Sequence, residues 1–241
     1  ELQDVDTIFD DLITYTDMVV DGDLFSLIIS GQAGVGKTFL LTKELQEKGL
    51  KRNEDFFKIT GKTTAAALYI SLYEHNDKIL VYDDCDSVFK NDDAVNVLKG
   101  ALDTTAIREI SWSSAALIKS KNKVEIPKSF DFTGKVIFVS NIPKKKIDKA
   151  LKTRAFILEI ALSTGDMIER MWTLLPTISM PSGIKVNGFI KERAMNLLVE
   201  EANKTVNLEL SLRTLIKAIA IVNKVAKEET ARRLIRQQCQ G

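Results

Sequence analysis

Only two cysteines and one histidine occur in 241 residues, and these scarcities exclude a good deal of chemistry. Cys85 and Cys239 are too few for a disulfide framework and lack the spacing of metal ligands, so neither a stapled secreted scaffold nor a zinc site is expected. With His75 alone, histidine-based catalysis is not expected either. No apolar stretch is long enough to span a bilayer and no secretory signal precedes the first strand, so no membrane partner is expected. An excess of one charge is missing too: Lys and Arg number 34 against 33 Asp and Glu, a net charge of +1. What remains is a chain 45% hydrophobic, ample for the core of one large or two small domains.

The near-zero sum hides a separation. From Glu1 to Ser30 there are eight acidic residues and no Lys or Arg, whereas Lys119 to Arg154 holds eleven basic residues against three acidic, a net of about +8. Two solvated faces, two faces that meet across a subunit boundary, and a basic face that binds phosphate backbone all fit this pattern.

Glycines are few, 12 in all, yet three of them fall within six residues. The stretch from Gly31 to Thr38 reads G-x-x-x-x-G-K-T, between a strand-like Leu24–Ser30 and a helix-like Phe39-Leu40-Leu41, which is the strand–loop–helix setting a phosphate loop requires. Gly31, Gly34 and Gly36 let backbone N–H groups turn toward a phosphate, and the helix that follows adds its dipole. The candidate nucleotide-binding residues are Gly31, Gln32, Ala33, Gly34, Val35, Gly36, Lys37, Thr38 and Phe39, with Lys37 on the β/γ-phosphates and Thr38 on Mg²⁺. A second Gly-Lys-Thr at Gly61–Thr63 lacks the first glycine of the pattern, since Phe56 stands there, and is read as the start of a helix.

A phosphate loop needs acids, and the apolar run from Lys78 ends in Asp83-Asp84-Cys85-Asp86, the pattern of a buried parallel strand that delivers carboxylates to its C-terminal edge. Asp83 is assigned to the Mg²⁺ shell and Asp84 to the attacking water, with Asp86 read as a helix N-cap or a solvated acid. A further strand, Val136–Ser140, ends in Asn141, which placed beside the Asp83 strand would face the γ-phosphate. Arg154 stands just before a fifth strand, Ala155–Ala161, where it can reach a neighbouring molecule's nucleotide.

Gly31–Thr38, Asp83-Asp84, Asn141, Arg154 and "LSLRTLIKA" from Leu210 to Ala218 together resemble, in order, the five signatures of the AAA+ ATPase family: Walker A, Walker B, sensor 1, arginine finger and sensor 2. The segments "SNIPKKKIDKALKTRAF" and "LVYDDCDSVF" are also similar to AAA+ ATPases encoded by bacteriophages. The resemblance implies an ATPase that uses ATP and Mg²⁺, Arg213 as the sensor 2 arginine, assembly into a homo-oligomeric ring such as a hexamer, and a cytoplasmic location, that of the host if the chain is phage-encoded. Two departures stand out. Asp84 replaces the commoner Glu, and no aromatic–hydrophobic–Gly pore motif follows the second strand.

The strand candidates Leu24–Ser30, Phe57–Thr60, Ile79–Asp83, Val136–Ser140 and Ala155–Ala161 alternate with helical stretches. This pattern predicts an α/β fold: a five-stranded parallel sheet, a P-loop core with helices on both faces, over residues 1–162. From residue 163 to 241 the β signals vanish and Asp166–Leu174, Phe189–Lys204 and Leu210–Lys227 read as helices, a small all-helical lid domain. An insertion at about 107–134 reads as a hairpin with arms Ile107–Trp112 and Ala116–Lys119 and a turn at Lys121–Lys123. The resemblance implies that such an insertion projects toward a ring's central channel, where Lys119, Lys121 and Lys123 are candidates to track single-stranded DNA, with an aromatic to stack a base; the plain alternative is an edge hairpin with Trp112 buried. Three functions fit these features: DNA remodelling or translocation in replication or recombination, protein unfolding, and a slow nucleotide-gated loader or switch that binds a partner such as a helicase.

Overall fold

The computed structural model describes residues 4–113, 118–120, 124–181, 183–205 and 208–239. The chain divides into two compact units, one of Asp6–Gln32 and Lys37–Ala161, the other of Glu1–Val5, Ala33–Gly36 and Leu162–Gly241.

The α/β unit begins with helix α1 (Val5–Asp21), an element the sequence reading left unassigned. Ile8, Phe9, Leu12, Thr16 and Val19 share one buried face, and most of the acids fall elsewhere on the helix. The helix stops where the N–H groups of Gly22, Asp23 and Leu24 all turn to the carbonyl of Met18, at 2.9–3.2 Å. Four residues, of which Leu24 is buried, lead into strand β1 (Ser26–Gly31), followed by α2 (Lys37–Glu47), β2 (Phe56–Thr60), α3 (Ala65–Glu74) and β3 (Ile79–Asp83). A 3-10 turn (Asp86–Lys90), α4 (Asp92–Ala101), a two-stranded insertion of β4 (Arg108–Ser111) and β5 (Ser129–Phe132), then β6 (Lys135–Ser140), α5 (Lys149–Lys152) and β7 (Phe156–Ile160) complete the unit.

The five long strands form one parallel sheet in the order β2-β3-β6-β1-β7. Burial follows that order. Every residue of β3 is buried, as are five of the six in β1 and in β6, whereas β2 and β7 at the two edges are partly exposed. A parallel strand covered on both faces has no solvent side, so its sequence is a continuous apolar run. Because every strand runs the same way, Gly31, Asp83 and Ser140 finish at the same edge of the sheet, with β6 lying between β1 and β3. That edge is where open parallel sheets bind ligands.

The insertion differs from the predicted hairpin. The first arm pairs antiparallel with Ser129–Phe132, Arg108 opposite Phe132, rather than with residues 116–119. A smaller loop is nested inside, with Lys119 bridged to Glu125 and Ile126 N–H donating to Ile118 O at 2.9 Å. Ala116, Lys121 and Lys123 lie outside the described residues. The base is pinned to the core. Arg108 is buried between Phe25 and Phe132, 5.2 and 4.7 Å from their ring centres, and donates to the carbonyls of Ala101 and Gly134. Burial draws its guanidinium down to about 10. Trp112 is half-buried with its ring 5.6 Å from that of Tyr69, and the Tyr69 hydroxyl donates to Pro127 O at 2.9 Å.

The acidic and basic segments partly meet inside this unit. Lys135 of β6, in the basic segment, donates to the carbonyl of Val20 at 2.7 Å, whereas Asp17 accepts from Lys48, which lies outside that segment, at 2.7 Å. Burial lowers the pKa of the Lys135 ammonium, against the pull of Asp21 and Asp23.

In the helical unit, α6 (Thr164–Leu174) is started by a capping box between Ser163 and Asp166, and α7 (Gly188–Lys204) by the Asn187 side chain. The helix expected over Leu210–Lys227 is α8 (Leu212–Lys224), and a further helix, α9 (Glu228–Cys239), follows it. Ser211 and Thr214 form a capping box that sets the start of α8, and the extended Val225 ends it. The polar α9 buries only Ala231, Ile235 and Cys239, and is tied to α7 by Arg232, which donates to Glu200 at 2.7 Å and to the buried Glu201 at 2.9 Å. Residues Ala33–Gly36 group with this unit, where Gly34 O accepts from Leu212 N at 2.9 Å.

Candidate functional site

The turn after β1 is shaped by what its glycines avoid. A Cβ on Gly31 would sit 2.1 Å from the carbonyl oxygen of Ile160 on the neighbouring strand, so only glycine fits there. Gly34 and Gly36 have φ of +76° and +98°, the left-handed backbone that turns successive N–H groups to one side. Lys37 opens α2, and its side chain folds back beneath the loop. Its ammonium donates to Gly31 O at 2.8 Å, to Gln32 O at 2.6 Å and to Asn141 Oδ1 at 3.2 Å. Three acceptors match the three N–H bonds of an ammonium, which is how a charge only 5% exposed is satisfied.

Asn141 links this cation to an acid. Its Nδ2 donates to Asp84 Oδ1 at 2.7 Å while its Oδ1 accepts from Lys37, so the amide can be oriented only one way. Asp84 itself has φ of +55°, a left-handed position where Asp is tolerated better than longer side chains. Its N–H donates to Val139 O at 3.1 Å, which holds the residue against β6. This backbone state gives a physical reason for an Asp rather than a longer acid at position 84.

A second set of bonds surrounds Asp83. Its Oδ1 accepts from the Thr38 hydroxyl at 2.7 Å, and its Oδ2 lies 2.8 Å from the ammonium of Lys58. Asp86 is neither a cap nor a solvated acid. It accepts from the Ser140 hydroxyl at 2.6 Å and from the N–H of Asn141 at 3.3 Å, and so fixes the end of β6. Cys85 is buried behind the acids and takes a hydrogen bond from Thr63 at 3.3 Å; burial pushes its thiol up.

The edge of the sheet therefore gathers Gly31, Lys37, Thr38, Asp83, Asp84 and Asn141 in two bonded groups. Gln32 and Phe39 are exposed beside them, and Val35 is buried. Arg154 is engaged elsewhere: Nη1 donates to Ala150 O at 2.9 Å, and Nε is 3.6 Å from Asp103 Oδ2, an ion pair too long for a hydrogen bond. Arg213 is an exposed residue of the first turn of α8, in the helical unit. The sequence reading missed Lys58 and misjudged Asp86. A lysine inside a strand that pairs with the acid-bearing strand was the signal for the first.

Thr38 and Asp83 suit Mg²⁺ held on a nucleotide: two hard oxygens 2.7 Å apart, where Mg²⁺ takes one or two protein ligands and fills its shell with phosphate and water. Among the described residues no cluster of three His, Cys, Asp or Glu offers an all-protein metal cage.

Comparison with solved structures places this architecture. RuvB R170A from Thermotoga maritima superposes over 97% of this chain and 68% of its own, with a TM-score of 0.55 at 10% identity. The chain has a RuvB-like fold. No family model matches the sequence. A protein of Enterobacteria phage T4, described as an uncharacterized 36.7 kDa protein in the nrdC-mobD intergenic region, is 32% identical over 165 residues, 64% of this chain. The chain spans about half the length of that curated relative, 50%. Among the described residues no helix is long and apolar enough to cross a membrane.

Proposed function

We propose that this protein is a Mg²⁺-dependent ATPase that assembles as a homo-oligomeric ring and remodels or translocates DNA, with residues 1–162 as its nucleotide-binding core and 163–241 as its lid. The observation that carries the ATPase reading is the Asn141 amide, which joins the Lys37 ammonium at 3.2 Å to the Asp84 carboxylate at 2.7 Å. A phosphate-binding cation and a water-orienting acid are thereby held by one rigid group, the positioning that phosphoryl transfer needs from a protein.

In this reading the loop N–H groups from Gly31 to Gly36 and Lys37 bind the β- and γ-phosphates. Thr38 and Asp83 hold Mg²⁺, which when bound neutralises charge on the phosphate oxygens. Asp84 orients the attacking water and accepts its proton, with Asn141 keeping the carboxylate aimed. Arg154 serves the nucleotide of a neighbouring subunit, and Arg213 reports nucleotide state to the lid. Replacement of Asp84 by Asn leaves nucleotide affinity within about twofold but lowers turnover by about 10²–10⁴-fold, the worth of a general base. Equilibrium binding of a fluorescent ATP analogue and steady-state phosphate release measure the two. Normal turnover in that variant assigns the water to another residue.

The DNA reading rests on charge. The stretch from Lys119 to Arg154 carries a net of about +8, and Lys119 is exposed beside the equally exposed Val124 on the nested loop. Trp112, packed on Tyr69, is not free to stack a base, so the lysines are left as the candidate contacts. Joint replacement of Lys119, Lys121 and Lys123 by Ala weakens binding of single-stranded DNA and lowers the slope of log K against log salt by roughly 2, since each phosphate contact contributes about 0.7. Unchanged affinity and slope turn the hairpin toward polypeptide and the protein toward unfolding. The match to a phage T4 protein supports a phage origin, with the host cytoplasm as the place of action.

A slow loader or switch, bound to a partner such as a helicase, is the second reading. It is favoured by the left-handed Asp84, whose short side chain is tied to Asn141 and reaches less far than a Glu.

A further inference from the structure

Lys58 is the one basic side chain in strand β2, and it is turned to the acid that the ATPase reading gives to Mg²⁺. In the parallel register Lys58 lies beside Val81 and Thr60 beside Asp83, so the lysine stem runs two residues along the sheet to reach the carboxylate. Its ammonium is 2.8 Å from Asp83 Oδ2, with side-chain exposures of 18% for the lysine and 12% for the acid. With Thr38 on Oδ1, both oxygens of Asp83 are engaged. A pair this sheltered is little screened by solvent, and a cation approaching Asp83 meets a carboxylate already neutralised.

We propose that Lys58 is a positioning residue for the divalent cation: it holds Asp83 in place before the cation arrives and must give up Asp83 Oδ2 when it does. This rests on the ATPase reading of the same site. The choice of lysine fits the role. An ammonium on a four-carbon stem is a single mobile charge that can withdraw into water, whereas the planar fork of an arginine would grip both oxygens. The consequence is that Mg²⁺ binds at the expense of an ion pair, so the gain in nucleotide affinity brought by Mg²⁺ is smaller than the site could give.

The test compares the affinity of the full chain for a fluorescent ATP analogue in EDTA and in saturating Mg²⁺. Lys58→Gln keeps a hydrogen-bond donor and removes the charge. Expected is an EDTA affinity close to that of the wild type, and a Mg²⁺-induced gain about tenfold larger, in line with removing one sheltered like charge beside the cation. Lys58→Arg shows no such increase. A merely structural lysine predicts the opposite for Lys58→Gln, a reduced gain from a poorly held Asp83. An unchanged or reduced gain in folded Lys58→Gln overturns the inference and leaves the ATPase reading standing. Absence of any analogue binding by the wild type overturns the ATPase reading itself and the inference with it. If Lys58→Gln does not fold, the wild type decides. With the analogue bound, the acetylation rate of Lys58 read by mass spectrometry rises when Mg²⁺ replaces EDTA, and a constant rate rejects the displacement.

Discussion

Arg154→Ala subunits, mixed with Lys37→Ala subunits, recover ATP turnover that neither variant has alone. The expectation starts from where Arg154 stands. It precedes β7, the outermost strand of the sheet and the direct neighbour of β1, whose C-terminal end carries the phosphate loop. In the single chain its guanidinium is held by Ala150 O and paired at 3.6 Å with Asp103, with the side chain 35% exposed. A partly exposed pair of that length adds at most about 1 kcal/mol to stability, so removing Arg154 leaves the fold intact. An arginine delivered to a γ-phosphate, by contrast, is worth about 10³–10⁵ in turnover. Arg154→Ala is therefore expected to bind the ATP analogue like the wild type and to lose turnover by that factor. In a mixed ring, an interface that joins an intact loop to an intact arginine is complete although each subunit is defective. Phosphate release from a titration of one variant into the other measures the recovery. Wild-type turnover by Arg154→Ala alone, or co-assembled mixtures with no recovery, refutes an arginine shared between subunits.

Lys37→Ala weakens ATP binding by about 10- to 100-fold. The ammonium is nine-tenths buried and already aimed by Gly31 O, Gln32 O and Asn141 Oδ1, so a phosphate entering the loop gains a charged hydrogen bond without the ordering of a flexible side chain. A charge-assisted bond of this kind is worth about 1.5–3 kcal/mol, and the upper figure is a factor of about 100 in affinity. Loss of the ammonium also leaves the oxygens of Gly31, Gln32 and Asn141 without their shared donor, which lowers thermal stability as well. Analogue titration and a melting curve on the same preparation separate the two effects. Wild-type affinity in a folded Lys37→Ala protein removes the basis for a nucleotide site at this loop.

The amino-acid sequence by itself determined the elements whose causes are local. Gly31 to Thr38 could be read as a phosphate loop because left-handed backbone and close approach are properties of glycine wherever it occurs, and φ at Gly34 and Gly36 is indeed positive. The three central strands β1, β3 and β6 could be read because a strand buried on both faces must be apolar throughout, and Ile79–Asp83 has the bounds the pattern predicted. Helix α9 escaped because its buried stripe, Ala231, Ile235 and Cys239, is thin within a highly charged sequence, whereas the stripe of α1 keeps the 3.6-residue period and was there to be read. Tertiary structure alone decided which side chains meet. Lys58 reaches Asp83 across 25 positions, Asp86 reaches Ser140 across 54, and Lys37 reaches Asn141 across 104, and all three contacts depend on the strand order β2-β3-β6-β1-β7. No local pattern encodes that order. It is set by how the connecting helices cover the sheet, and it brings the acid, the amide and the two lysines to one edge.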